Sequence, residues 1–156
     1  MSIELARAHL SKFGLAERIQ EFATSSATVE LAAKALGCEA CQIAKSMAFA
    51  MGGSAILVIA AGDVKIDNPK FKAAFQTKAK MLAFDEVEAK IGHAVGGVCP
   101  FGIPEEVEVY LDASLKRFEI VYPACGSSNS AIGLSLSELE MASGFKAWVD
   151  VCKPMQ

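Results

Sequence analysis

Lys45 is the only charged residue in the run Ile43-Ala44-Lys45-Ser46-Met47-Ala48-Phe49-Ala50-Met51. Alternation along a strand would put Ile43, Lys45, Met47 and Phe49 on one face. A lysine on an apolar face needs a partner or a wet cavity, because an unpaired ammonium is costly to desolvate. Two readings are open: an edge lysine whose head reaches water, or a charge offered to a ligand. The second segment is Gly96-Gly97-Val98-Cys99-Pro100-Phe101-Gly102, with three glycines and a proline in seven residues. Without a Cβ in the way, its peptide N–H groups can face a ligand and hold a carbonyl or carboxylate oxygen. Equally, the segment can be a tight connection between a helix and a strand.

Other chemistry fits less well. Cys38-x-x-Cys41 is half of a zinc site or a redox pair, but zinc takes about four ligands. Among Cys99, Cys125, Cys152, His9 and His93 there is no second close pair. The βαβ setting of a redox motif is missing too. No G-x-S-x-G, G-x-x-x-x-G-K-[ST] or strand-linked G-x-G-x-x-G occurs, which removes the serine-hydrolase elbow, the Walker loop and the dinucleotide fold. No metal or cofactor is expected.

The elements that would position these segments read as follows. Residues 2–13 are a helix, 19–22 a short strand, and Ser25, Ser26 or Thr28 caps a helix running to Leu36. The apolar runs 43–51 and 55–61 form a hairpin through Gly52-Gly53, followed by a strand at 64–66. Asn68-Pro69 opens a basic helix to about Gln76, and 80–83 is a strand. Asp85 and Glu88 start a helix that Gly92 ends. Strands follow at 107–111, 118–122 and 131–134, then a helix from Ser135 to Gly144 and a last strand at 148–151. Strands in adjacent groups argue for an α+β fold with a mixed, largely antiparallel, barrel-like sheet and surrounding helices.

The 156 residues, 1–156, read as one domain. At 53% hydrophobic and 21% charged they can build a core without staples. The net charge of −3 gives no basic field for a nucleic-acid backbone, so DNA is not an expected partner. Lys65, Lys70, Lys72, Lys78 and Lys80 form a local basic patch or a solvated face. The longest apolar run, 54–61, is too short to span a bilayer, and a membrane is not an expected partner. Five cysteines without framework spacing suit a reducing cytoplasm, the expected location.

Taken together, the lysine segment and the glycine loop resemble the YbaK/prolyl-tRNA-synthetase-associated domain family of free-standing aminoacyl-tRNA editing proteins. The likeness runs from about Ser25 to Leu139. It rests on Ala32-Ala33, Ile43-Ala44-Lys45-Ser46, Gly62-Asp63, Gly92, the Gly96-x-x-x-Pro100 loop, Asp112 and Ala124-Cys125-Gly126. The resemblance implies an enzyme that hydrolyses the ester joining a wrong small amino acid to the 3′ end of a tRNA, most often tRNA(Pro). It implies aminoacyl-tRNA as partner, with prolyl-tRNA synthetase as a second candidate. Lys45, Gly96, Gly97 and Pro100 carry over as catalytic positions. Ser25, Ser46, Val98, Cys99, Phe101, Gly102, Asp112 and Gly126 carry over as substrate-binding positions. Ser25-Ser26 stand where better-known members have a threonine-containing segment, and Cys99 stands where serine is common. The alternative is a non-enzymatic binder of an amino acid, a nucleotide or an aminoacyl-like ligand. If the loop serves through its N–H groups, valine at Gly97 should abolish activity with only modest loss of fold.

Overall fold

The computed structural model describes residues 2–155. Helix α1 covers Ser2–Ser11, and its Ala6 and Leu10, four residues apart on one face, are fully buried. Strand β1 (Gln20–Glu21) precedes helix α2 (Val29–Leu36). Of the three candidate caps it is Thr28 that serves, its hydroxyl accepting the Leu31 N–H at 3.2 Å. Gly37, at φ 71, ends the helix in the left-handed conformation.

Strands β2 (Ile43–Met51) and β3 (Ser54–Ala61) form the expected hairpin, in register from Ala44↔Ala61 to Met51↔Ser54. The turn needs positive φ at both central residues, and Gly52 and Gly53 adopt 52° and 84°. Then come β4 (Val64–Ile66), α3 (Asn68–Phe75) and α4 (Phe84–Ile91). The second half holds β5 (Glu108–Asp112), β6 (Ile120–Pro123), β7 (Ser130–Ala131), β8 (Leu134–Ser135), α5 (Leu136–Ser143), β9 (Ala147–Val149) and β10 (Cys152–Pro154).

The main sheet has the order β8-β6-β2-β3-β5-β9 and curls as a half barrel flanked by the helices. The fold is mixed α+β, as the sequence led us to expect. Two antiparallel ribbons, β1–β7 and β10–β4, complete it. The hairpin is flanked by parallel pairs, β6 on β2 and β5 on β3, with β9 parallel to β5. Strand β3 is therefore covered on both edges and both faces, which is why residues 55–61 are apolar without alternation.

Several elements differ from the sequence reading. Residues 80–83 are not a strand: Met81 makes one bridge to Phe49, and the segment lies along the end of β2. Helix α4 starts before Asp85, because Glu86 reaches back to accept the Ala83 N–H at 3.3 Å. Helix α3 is capped by Asp67 rather than Asn68, its carboxylate accepting the Lys70 N–H. The run 131–134 divides at Gly133, where a Cβ would lie 2.9 Å from the Tyr122 ring. The chain after Val149 crosses to pair Cys152–Pro154 with β4 instead of extending one terminal strand.

Candidate functional site

Strand β2 is paired on its outer edge only toward its two ends. β6 covers Ile43 and Ala44. Segment 80–82 bonds to Ala48 and Ala50. Between them the edge is open, and a cavity of about 210 Å³ lies there. Both faces of β2 contribute to its wall: Ile43 and Lys45 from one, Ala44, Ser46 and Ala48 from the other. The start of α2, the turn at Gly96 and Val98, and the chain at Ala124 and Ser130 close the remaining sides.

Four of the expected site residues line this cavity: Lys45, Ser46, Gly96 and Val98. Lys45 is half-buried. Its Nζ donates to the Val64 carbonyl and lies 3.9 Å from Met155 Sδ. Burial lowers its pKa, partly opposed by Cys152, Asp63 and Glu30. Of these, Asp63 is already committed to Arg117, at 2.5 Å and 3.0 Å. Lys45 thus has no dedicated carboxylate partner in the interactions described. The N–H groups of Gly96 and Val98 have no acceptor among the described residues, so two donors remain unused in the wall. The Ser46 Oγ is buried without a partner.

The other loop residues build the turn rather than the wall, which narrows the reading of the whole segment as a ligand cradle. The Gly97 N–H is spent on the Ala94 carbonyl at 3.0 Å. A Cβ at Gly97 would come within 2.7 Å of the backbone of Gly126 and Ser127. Gly126 is therefore the surface on which the loop docks. Cys99, Pro100 and Phe101 are buried. Cys99 Sγ lies 3.4 Å from His93 Nε2, which donates to the Phe101 carbonyl at 2.7 Å. Burial pushes the Cys99 thiol up to about 12 and lowers the His93 pKa. The pair is thus a neutral packing contact, not an activated thiolate. Gly102, at φ +75, lies against α1, where a Cβ would meet the Leu5 carbonyl oxygen at 2.6 Å.

Two further expected substrate-binding positions also fall outside the wall. Asp112 is buried, with one oxygen accepting the Ser114 N–H and the other the Val151 N–H, each at 2.9 Å. Its carboxylate holds backbone and has no free face for a ligand. Ser25 is exposed; it accepts the Ala27 N–H and donates to the Ser128 carbonyl, bracing the turn into α2. Its neighbour Ser26 lines the cavity instead. Sequence reasoning also missed Thr28, Val29 and Ser130 as wall residues. The small pair Ala32-Ala33 was the one signal that α2 packs close, against Ile43.

Cys38 precedes and Cys41 lies within a single 3-10 turn at Ala40–Gln42, and burial raises the Cys38 pKa. No group of three or more candidate metal ligands occurs among the described residues.

Known proteins share the sequence and the fold of this chain. The protein YwhH of Bacillus subtilis (strain 168), itself uncharacterised, is 51% identical over 154 residues, 98% of each chain. The proline–tRNA ligase of Bacillus cytotoxicus is 31% identical over 94 residues, which is 60% of this chain and 16% of the ligase. The crystal structure of a protein proposed to be a trans-editing enzyme for prolyl tRNA synthetase superposes with a TM-score of 0.87. It is 27% identical and covers 97% of both chains. The model of the aminoacyl-tRNA editing domain matches residues 23–141, a span that contains the open edge of β2, Lys45 and the glycine loop, and the chain therefore belongs to the aminoacyl-tRNA editing domain family.

Proposed function

We propose that this protein is a trans-acting hydrolase that removes a wrong small amino acid from the 3′ end of a tRNA, tRNA(Pro) above all, in the cytoplasm. The observation that carries this reading is one small cavity lined by the half-buried Lys45 and by Gly96 and Val98, whose peptide N–H groups have no acceptor among the described residues. Ester hydrolysis builds negative charge on the carbonyl oxygen, and preorganised donors favour that charge more than the ground state. On this reading the free N–H groups of Gly96 and Val98 serve that task from one side, and Lys45 supplies positive charge from the other. No carboxylate or imidazole lines the cavity among the described residues. The attacking water therefore loses its proton without a side-chain base, and the ribose hydroxyl beside the ester is the nearest relay. The cavity, about 210 Å³, is of a size for the aminoacyl end. The tRNA assignment is supported by the likeness to proline–tRNA ligases.

The test is a deacylation panel: purified protein against tRNA(Pro), tRNA(Ala) and tRNA(Thr) charged with Ala, Cys, Ser or Thr. Hydrolysis is expected for small amino acids on tRNA(Pro). Spontaneous rates throughout would favour the second reading, a binder of aminoacyl-like ligands, which the missing side-chain base supports.

The basic segment gives a second expected result. Lys70 is occupied by Asp150 and the Cys152 carbonyl, each at 3.1 Å. Lys72 and Lys78 flank a separate cavity beside Asn68 and Pro69, and Lys80 precedes the wall residues Met81 and Leu82. Changing Lys72, Lys78 and Lys80 to alanine should raise KM, leave kcat nearly unchanged and flatten the salt dependence by about two logarithmic units of slope. A salt slope equal to wild type would put the tRNA path on another face.

Cys99 gives a third. With its thiol near 12 and no exposed surface, iodoacetamide at neutral pH should leave deacylation unchanged. Inactivation that a Cys99→Ser variant resists would give the thiol a chemical role.

A further inference from the structure

The open edge of β2 can be read bond by bond. The Ala48 carbonyl accepts the Leu82 N–H at 3.0 Å, and the Ala50 N–H donates to the Lys80 carbonyl at 2.8 Å. Both residues therefore direct their main-chain groups away from β3. At the other end, Ile43 pairs with Tyr122 and Ala44 with Pro123. Pro123 has no N–H, so this parallel pairing runs through the outward groups of Ala44. In an antiparallel ladder, residues bonded to one neighbour alternate with residues facing the other side. Ser46 lies between Ala44 and Ala48 in the same phase, opposite Ile59. Its N–H and C=O thus point outward, where neither β6 nor segment 80–82 covers them. Its side chain belongs to the cavity wall, and its Oγ is buried without a partner. One buried hydroxyl without a partner and two main-chain groups that no neighbouring segment covers sit on one residue, between Ala44 and Ala48. Such groups are costly to leave unpaired in a protein interior.

We propose that the Ser46 edge is the amino-acid subsite, pairing with the main-chain groups of a bound α-aminoacyl ester as a neighbouring strand would. The ammonium donates to the Ser46 carbonyl, and the ester carbonyl accepts the Ser46 N–H on one lone pair while its other side faces Gly96 and Val98. The Ser46 hydroxyl turns about χ1 to accept a second ammonium proton. This is the two-bond exchange of strand addition reduced to one residue. It defines the ligand class as α-aminoacyl groups with a free amine, whatever their side chain. N-acylation leaves one N–H for the Ser46 carbonyl but removes the charge and the proton meant for the hydroxyl, so N-blocked aminoacyl groups bind more weakly. The inference rests on the proposed function for the ester, but the pairing itself needs no turnover.

The experiment is calorimetric titration of the intact protein with 3′-deoxy-3′-(L-alanylamino)adenosine, whose amide cannot be hydrolysed as the ester is, and with its N-acetyl derivative. The free amine should bind at least about tenfold more tightly, the range of one hydrogen bond to a charged group. Ser46→Ala should narrow that ratio, and Ser46→Thr should restore it. Equal affinities for the two compounds overturn the proposal, as does failure of both to bind at millimolar concentration. An unchanged ratio in Ser46→Ala removes the hydroxyl from it. Selective binding without hydrolysis of any charged tRNA would leave the subsite standing and remove the deacylase reading. Hydrolysis of free and N-acetylated alanyl-tRNA at equal rates would do the reverse.

Discussion

Replacing Lys45 by alanine should slow single-turnover deacylation by about 100- to 1,000-fold, the usual cost of one donor to a developing oxyanion, while leaving the fold intact. The structure explains why the two effects separate. The ammonium is half-buried and its donation goes to the Val64 carbonyl, with no carboxylate dedicated to it. Burying a charge without a paired counter-charge is unfavourable, so its removal costs little stability. Arginine should be nearly as damaging as alanine, because a planar fork is larger than an ammonium in a cavity of about 210 Å³. The pH dependence has a definite sign. Burial lowers the folded-state pKa of Lys45 below 10.5, so the unfolded chain holds this proton more tightly. The destabilisation is fully present below the folded pKa and is relieved as pH rises from there toward 10.5. Wild type should therefore gain stability relative to Lys45→Met across that window, in urea melts at stepped pH. Its activity should fall over the same window as the ammonium is lost. Near-normal turnover in Lys45→Ala would remove Lys45 from the site. A collapsed melt would make it structural.

The lysine was legible in the sequence because a single charge breaks an apolar strand pattern, and pattern is what a strand writes into its residues. The hairpin was legible for the same reason, with Gly52-Gly53 marking its turn. What surrounds the lysine was not legible. The parallel pairing of β6 and β5 depends on crossovers that leave no local mark. The gap beside Ser46 exists only because β6 diverges from β2 after Ala44 and segment 80–82 arrives at Ala48. Asp112 came in as a substrate-binding position through the family resemblance alone; in the fold, both its oxygens bind backbone N–H groups. The cavity face of α2 was hidden because Thr28 read only as a candidate cap and Val29 carried no signal of its own.

Gly97 is where the structure changes the expected result most. A loop that served only through its N–H groups would tolerate a side chain at Gly97 in its fold and lose activity alone. The Gly97 N–H, however, is bonded to Ala94, and a Cβ would lie within 2.7–2.8 Å of three backbone atoms of Gly126 and Ser127. Backbone cannot swing aside as a side-chain tip can, so even Gly97→Ala must lift the loop off its seat. Overpacking of this kind costs about 1–3 kcal/mol, which lowers Tm by roughly 2–4 °C per kcal/mol in a chain of this size. A domain with ordinary stability of about 5–15 kcal/mol remains folded after that loss. Activity should nevertheless drop by far more than the unfolded fraction, because Gly96 and Val98 flank the displaced residue and their donors move with it. Gly53→Ala is the matched control. It places alanine at φ +84 with open space around the Cβ, in a turn outside the cavity wall. It should cost about 1 kcal/mol through backbone strain and leave turnover unchanged. If Gly97→Ala and Gly53→Ala lose stability alike and both keep full activity, the seat on Gly126 does not position the donors. If Gly97→Ala melts like wild type, the loop is not seated there in solution.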